Sequence, residues 1–449
     1  VGSFLQRPII KGEGIEVNKI TIAATGDSFI TRRLPSKDSL AFRQIKDLLD
    51  EVDIRFTNLE TTIHRKEGYP GAFSGGTWAM SPPEVLEDIK AFGFNLLSWA
   101  TNHTLDYSHG GLLATQRYLD HMGFVHGGAG RNLREASQPV YIETEGGRVA
   151  LIAATSTFHP AWRAGEQRYD MIGRPGVNPL RFTQTHHVPP EAFNQLKKIA
   201  DQTEINAKYH LDIKEGFEVE GTDKTKLRLG DLNFQSSDTY QSLSEPHADD
   251  LTRIAKAIHE AKRQADVVLV SLHSHEMEGE NKSRPAPFFI KASHYFIDQG
   301  ATAIIGHGPH ILRGVEIYKQ KPIFYSLGNF IFQNDTIEAL PADFFEKYRL
   351  SHEHNVADGL DARSRNGEIG LGVNPLVWES MLPVLEIEDG VVKSIKCYPI
   401  SLGFGQPRYR RGWPALINND TRVLENLAAL SKPFHTQMTI KDNIGFIEC

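Results

Sequence analysis

Cysteine is nearly absent: only Cys397 and Cys449 occur among 449 residues. They lie too far apart for a CxxC motif and can form one bridge at most, which excludes a disulfide scaffold and a cysteine zinc site. Long hydrophobic runs are missing too. No stretch approaches the ~20 apolar residues of a membrane helix, and the segment Val1-Gly-Ser-Phe-Leu-Gln-Arg-Pro has no hydrophobic signal core. The expectation is a cytoplasmic protein, or an exported one whose leader is not part of this sequence. Nor is there an excess of positive charge: 49 Lys and Arg stand against 56 Asp and Glu, a net charge of -7. This gives no electrostatic reason to expect nucleic acid as a partner, and the short basic run Arg408-Tyr-Arg-Arg-Gly-Trp reads as a solvated loop. Gly127-Gly-Ala-Gly has neither the spacing nor the following acid of a dinucleotide fingerprint.

What the chain does contain is a series of apolar, strand-like runs, each ending in residues that carry chemistry. Lys19-Ile-Thr-Ile-Ala-Ala-Thr runs into Gly26-Asp27, and Asp53-Ile-Arg-Phe-Thr ends at Asn58-Leu59-Glu60. Phe94-Asn-Leu-Leu-Ser-Trp-Ala leads to Thr101-Asn102-His103 with Asp106 close behind. Asp266-Val-Val-Leu-Val leads to His273-Ser274-His275-Glu276, and Ala301-Thr-Ala-Ile-Ile to Gly306-His307-Gly308-Pro309-His310. Helical spacing over Gly110 to Met122, His247 to Gln264 and Pro287 to Gln299 alternates with these runs. The pattern predicts an α/β fold, in which sites form at the carboxyl ends of the strands.

Taken in order, Asp27, Glu60, Asn102, His273, His307 and His310 have the makeup of a two-metal hydrolytic centre. A carboxylate between two cations ~3.5 to 4 Å apart offsets their repulsion. Imidazole and carboxylate together suit Mn, Zn or Fe better than Mg or Ca. His103 would protonate a leaving group, with Asp106 orienting its ring.

The alternation lapses twice, over about 155–246 and 334–375. The first tract is read as an insertion able to roof the site, with a single helix from Pro190 to about Tyr209, and the second as a mobile loop. A hairpin across Asp389-Gly390 follows, then the basic loop and a terminal helix. The expected division is an extension over 1–18, a domain over 19–400 holding both insertions, and a 401–449 extension packing on it.

The series Gly26-Asp27, Asn58-Leu59-Glu60, Thr101-Asn102-His103 with Asp106-Tyr107, His273, Gly306-His307-Gly308-Pro309-His310 and Tyr325-Ser326-Leu327-Gly328-Asn329-Phe330 resembles that of CapA-type capsule-biosynthesis proteins. These are associated with poly-gamma-glutamate and belong to the calcineurin-like metallophosphoesterase superfamily. The resemblance implies a four-layered αββα sandwich, metal ligands at Asp27, Glu60, Asn102, His273, His307 and His310, and a general acid at His103. Ser326 and Asn329 of its signature are expected beside the site, touching substrate along with Glu276.

This chain departs from the family at three points. Phe29 stands where the superfamily has a metal-binding histidine, Glu60 where it has an aspartate, and Ser274-His275-Glu276 where Trp-Gly follows the histidine. The centre is therefore expected to hold one or two metals, or none with the histidines acting as acid and base. His275 is either a catalytic or substrate-contacting residue, or a replacement for the ligand missing at Phe29. The resemblance implies a metal-dependent hydrolase of an amide, gamma-glutamyl or similar bond in an acidic polymer. Alternatives are a phosphoester hydrolase, a metal-free epimerase-like enzyme, and a non-catalytic polymer-binding assembly factor.

Overall fold

The computed structural model describes residues 18–223 and 225–449; the expected extension lies outside them except for its last residue. Two β-sheets carry the fold. In the larger, β1 (Lys19–Phe29) is followed sideways by β2 (Ile54–Leu59), β3 (Leu96–Ser98) and β4 (Val125–Gly127), all parallel. The second sheet holds β5 (Val140–Thr144), β6 (Gly147–Thr155), β7 (Val267–His273), β8 (Ala303–His307), β9 (Val315–Tyr318) and β10 (Lys321–Phe324). Its centre, β6-β7-β8-β10, is parallel, and β5 and β9 pair antiparallel at its edges.

The free side of β1 is shared by two strands. Its first half pairs antiparallel with β12 (Glu379–Glu388), and its last residues pair parallel with β11 (Asn329–Phe332). The run Pro322 to Phe332, which reads as one interrupted strand, is thus split between the sheets, and Ser326 to Gly328 carry the chain across. The crossing is tight. Gly328 has φ 74, its carbonyl accepts the Asp27 N–H at 3.0 Å, and a Cβ on Gly26 would lie 2.0 Å from that oxygen. Only glycine fits at position 26.

Helices α1 (Leu40–Asp50), α2 (Val85–Ala91) and α3 (Ser108–His121) bury Ile45, Ile89 and Leu112 in one apolar cluster with Leu59 and Leu97 of the larger sheet. Ser39 caps α1, accepting from Phe42 N at 3.2 Å. Ile22, Ala24 and Phe56 share a second cluster with Leu151, Leu269 and Ile305 of the other sheet. A third joins Ile152, Val270 and Ile304 to Ile258 of α4 (Ala248–Lys262) and Phe296 of α5 (Pro287–Gln299). Removing a ring such as Phe56 from this interior should cost about 3–5 kcal/mol.

The first insertion forms its own four-stranded sheet with two helices, Pro190–Thr203 and Ala207–Glu215. One helix was expected, but Glu204 at φ 49 breaks it. The second insertion is a packed unit in place of the expected mobile loop. Helices Ala342–Lys347 and Val356–Ser364, the latter opened by an Asn355/Asp358 capping box, bury Phe344 and Leu360 against Trp78 and Tyr107. The carboxyl-terminal segment does more than pack: Ile444–Glu448 joins the larger sheet beside β13 (Val391–Ser401). No helix among the described residues is long and apolar enough to cross a membrane.

Candidate metal centre and acid–base pair

Parallel strands point their carboxyl ends the same way, and two sheets that share the apolar cluster of Phe56 and Leu269 bring two such edges together. Asp27 lies two residues before the end of β1 and Glu60 follows β2; His273 and His307, neighbours in register, end β7 and β8. All four are buried. Asp27 Oδ1 lies 3.8 Å from His273 Nδ1 and 3.7 Å from His307 Nδ1. Glu60 Oε1 is 3.6 Å from His273 Nε2 and 3.9 Å from His275 Nε2, and its Oε2 is 3.6 Å from His310 Nδ1. Asn102 Oδ1 is 2.8 Å from His273 Nε2. The six expected ligands therefore converge, and His275 joins them, its Nε2 3.1 Å from that of His273.

Burial dominates the electrostatics. It pushes the Asp27 carboxyl up to about 7, against hydrogen bonds from Asn58 and Gly308. It also holds Glu60 well above the usual range, with the Asp27 carboxylate adding to the effect. His307 and His310 are pushed down to about 3, and His273 and His275 well down by burial and by neighbouring imidazoles. These rings are neutral near pH 7, the form that ligates metal. Both oxygens of Glu60 and both nitrogens of His307 are buried with no hydrogen-bond partner among the described residues, an arrangement that costs free energy unless something else binds them. Glu60, His275 and His310 each offer a ligand atom within 4.8 Å of the others. Orphaned donor atoms, neutral rings and this spacing fit a divalent cation.

His103 Nδ1 lies 2.6 Å from Asp106 Oδ2. Asp106 also accepts from Gly75 N at 2.8 Å and Ala79 N at 2.7 Å, so its position is fixed by backbone. His103 Nε2 has no protein partner among the described residues and its ring lines a cavity of about 420 Å³. Phe29, where the resemblance expects a ligand, packs edge-on to that ring at 5.1 Å.

The expected substrate contacts are engaged elsewhere. Ser326 is fully buried, donating to Ile311 O at 2.7 Å and accepting from Gly328 N at 3.2 Å; it shapes the crossing between the sheets. Asn329 clamps His310, which has φ 58: its Oδ1 lies 2.9 Å from His310 Nδ1, and its Nδ2 donates to His310 O at 3.3 Å. Glu276 accepts hydroxyls from Ser156, Ser274 and Thr157 at 2.6 to 3.0 Å, which holds the His275 segment.

The cavity wall comes from residues that strand-end reasoning passes over. Gly75 and Thr77 contribute to it, as do Lys282 and three arginines, Arg363, Arg408 and Arg411. Two arginines of the basic run are thus engaged, while Tyr409 and Arg410 are exposed as a solvated loop would have them. Arg411 lies over Trp378 at 4.2 Å and pairs with Asp335, and Arg408 pairs with Asp361 at 2.6 Å. Among the described residues the wall of this cavity is drawn from the second insertion, while Phe182, Gln184, Ser242 and Ser244 of the first meet His275 in a neighbouring pocket.

Comparison with known proteins completes the description. Residues 21–334 match the family described as bacterial capsule synthesis protein PGA_cap. The chain belongs to this family. A relative in Sinorhizobium fredii, the uncharacterized protein y4sH, is 34% identical, covering 96% of this chain and 93% of its own. The capsule biosynthesis protein CapA of Bacillus anthracis is 25% identical, over 71% of this chain and 61% of that one. A crystal structure of a hypothetical protein from Thermus thermophilus aligns with 85% of this chain and 98% of its own at TM-score 0.40 and 12% identity, a likeness too slight to bear on function. The PGA_cap match includes every residue of the carboxylate–histidine centre, whereas Arg363, Arg408 and Arg411 lie beyond it.

Proposed function

We propose that this protein is a metal-dependent hydrolase of the metallophosphoesterase type that cleaves an amide or gamma-glutamyl bond in an acidic polymer of capsule metabolism. The observation that carries the reading is one cavity lined by His103, His275 and His310 together with four cations, Lys282, Arg363, Arg408 and Arg411, and the acid Asp335. A positively lined, partly enclosed cavity draws in anions. The order of the three apolar clusters, helices on sheet, sheet on sheet and sheet on helices, supports a four-layered αββα sandwich.

Glu60, His275 and His310 would hold the cation, with Asp27, Asn102, His273 and His307 packed around them. In this reading His275 moves from the acid–base group to the ligands and makes up for Phe29. A bound Mn, Zn or Fe ion supplies Lewis acidity and lowers the pKa of water. The protein's part is to present a proton at His103 Nε2 to the leaving amine, with Asp106 stabilising the imidazolium. The second insertion and the basic run restrict water above the bond. Phosphoester hydrolysis is the second reading, favoured by the same cationic wall.

Elemental analysis of protein purified without chelator, followed by incubation with poly-gamma-glutamate and with an aryl phosphodiester, tests the proposal. About one to two equivalents of metal are expected, with polymer cleavage that disappears in His103→Ala. Turnover of the diester alone would replace the amide assignment. A metal-free protein whose activity ignores chelator would sink the metal-dependent reading and favour proton-transfer chemistry.

A further inference from the structure

Among the described residues, the cations of the cavity wall differ in one respect. Arg363 donates to Thr77 Oγ1 and to Asn334 Oδ1 at 2.6 Å, Arg408 is paired with Asp361, and Arg411 with Asp335 and Gly372 O. These three guanidinium groups are thus held by partners within the protein. Lys282 is half-buried, lines the same cavity, and has no hydrogen-bond or ion-pair partner for its ammonium among the described residues. A part-desolvated ammonium without a counterion is costly to keep unless a ligand completes it.

The position of Lys282 is also built. It sits on the hairpin of Met277–Glu278 and Asn281–Pro285, directly after the His273–Glu276 segment. Arg313, fully buried, ties the two together: Nε donates to Lys282 O at 3.0 Å, while its other nitrogens donate to Ser274 O, His275 O and Glu276 O at 2.9 to 3.3 Å. The clasp fixes the root of Lys282 relative to His275. Lys282 shares its cavity with His275 and His310, two of the trio that would hold the cation.

We infer that Lys282 is an anion subsite that binds the carboxylate adjacent to the reacting bond and selects substrates carrying one. Resting on the hydrolase reading above, this narrows the substrate class. In a gamma-linked glutamate chain the group next to the scissile nitrogen is the alpha-carboxylate of the leaving residue. A neutral amide polymer has nothing to offer the ammonium there. Lysine suits the task as a compact point charge on a flexible stem.

The test is binding of γ-glutamylglutamate and of its carboxamide analogue, neutral beside the amide, to the full-length chain by titration calorimetry. Wild type should favour the carboxylate form about tenfold or more. Lys282→Met should bring the ratio to about one, and Lys282→Arg should keep most of it. Lys282→Met leaves the carbonyl that Arg313 uses intact, so the hairpin should hold, and an unchanged circular-dichroism melting curve checks this. His103→Ala should keep the ratio. If that variant and wild type bind with the Lys282-dependent ratio yet neither cleaves the dipeptide, the reaction assignment fails and the subsite stands. A ratio unaffected by Lys282→Met overturns the subsite. Inorganic phosphate binding that depends on Lys282, with no carboxylate preference in wild type, overturns the carboxylate assignment.

Discussion

Replacing Asp106 by Asn tests the acid–base half of the site. The two carboxylate oxygens accept three hydrogen bonds, from Gly75 N (2.8 Å), Ala79 N (2.7 Å) and His103 Nδ1 (2.6 Å). An amide offers one oxygen and one NH2. With its oxygen toward Ala79 and His103, it leaves the Gly75 N–H facing a donor; flipped, it strands two donors. The better arrangement orphans one N–H and costs about 1–3 kcal/mol of stability. The kinetic cost is separate. Losing the charge beside His103 removes much of a general-acid contribution of about 10²–10⁴-fold, roughly 3–5.5 kcal/mol of barrier. The assay compares two γ-glutamyl amides, one releasing an alkylamine and one releasing p-nitroaniline. Alkylamine must be protonated to leave and nitroaniline hardly needs to be. Asp106→Asn should lower kcat on the first by about 10²–10⁴ and on the second far less, with metal content unchanged. Equal losses on both amides, or loss of metal, would refute the role given to His103 and Asp106.

Three further outcomes are expected. Glu60→Gln should weaken metal binding about tenfold or more, roughly 1.4 kcal/mol per decade. Burial raises the Glu60 pKa, so metal-free wild type loses stability as pH rises above the ordinary carboxyl range; Glu60→Gln should flatten that slope in urea titrations. His275→Ala should weaken Mn binding about 10–100-fold, while His159→Ala, at a ring stacked on Phe73 and not among the trio, should leave it unchanged; equal affinities would remove His275 from the ligands. His64 is buried, with burial holding its pKa at about 4 against an ordinary 6.5. The folded state resists its protonation, so its contribution is intact above about pH 6.5 and lost as pH falls toward 4; between pH 7.5 and 5 this is about 2 kcal/mol at most. His64→Phe should lose correspondingly less stability over that interval in urea titrations, and an identical loss would refute the assignment.

The centre was legible because its residues obey a local rule. Each ligand follows an apolar run, parallel strands align their carboxyl ends, and a reader who finds strand ends at Asp27, Glu60, His273 and His307 has found the site. His275 was ambiguous for a local reason as well: two residues past His273 it can point along the strand direction or away, and only the turn taken at Ser274, whose N–H donates to His307 O at 2.9 Å, brings it to Glu60. Ser326 and Asn329 mislead in the other direction. Their position in a signature suggested contact with substrate, whereas the chain must leave one sheet and enter the other there. A buried serine bonded to backbone and an asparagine holding His310 meet that geometric need.

The cavity wall obeys no such rule. Lys282, Arg363, Arg408 and Arg411 come from a hairpin, a helix and a loop that share no period and no sequence neighbourhood. Arg408 and Arg411 looked like solvated charge because nothing in Arg408-Tyr-Arg-Arg signals that Asp361, Asp335 and Trp378 wait for them. The centre lies wholly within the PGA_cap match, but three of the four cations lie beyond it. Residues that hold the reacting bond and residues that choose its neighbours are thus separated along this chain. Lys282 is the exception: it lies inside the match, one hairpin from His275 and clasped to it by Arg313. A wall that varied among relatives while Lys282 stayed fixed would leave recognition of the group beside the bond unchanged. The rest of the substrate would then be free to differ.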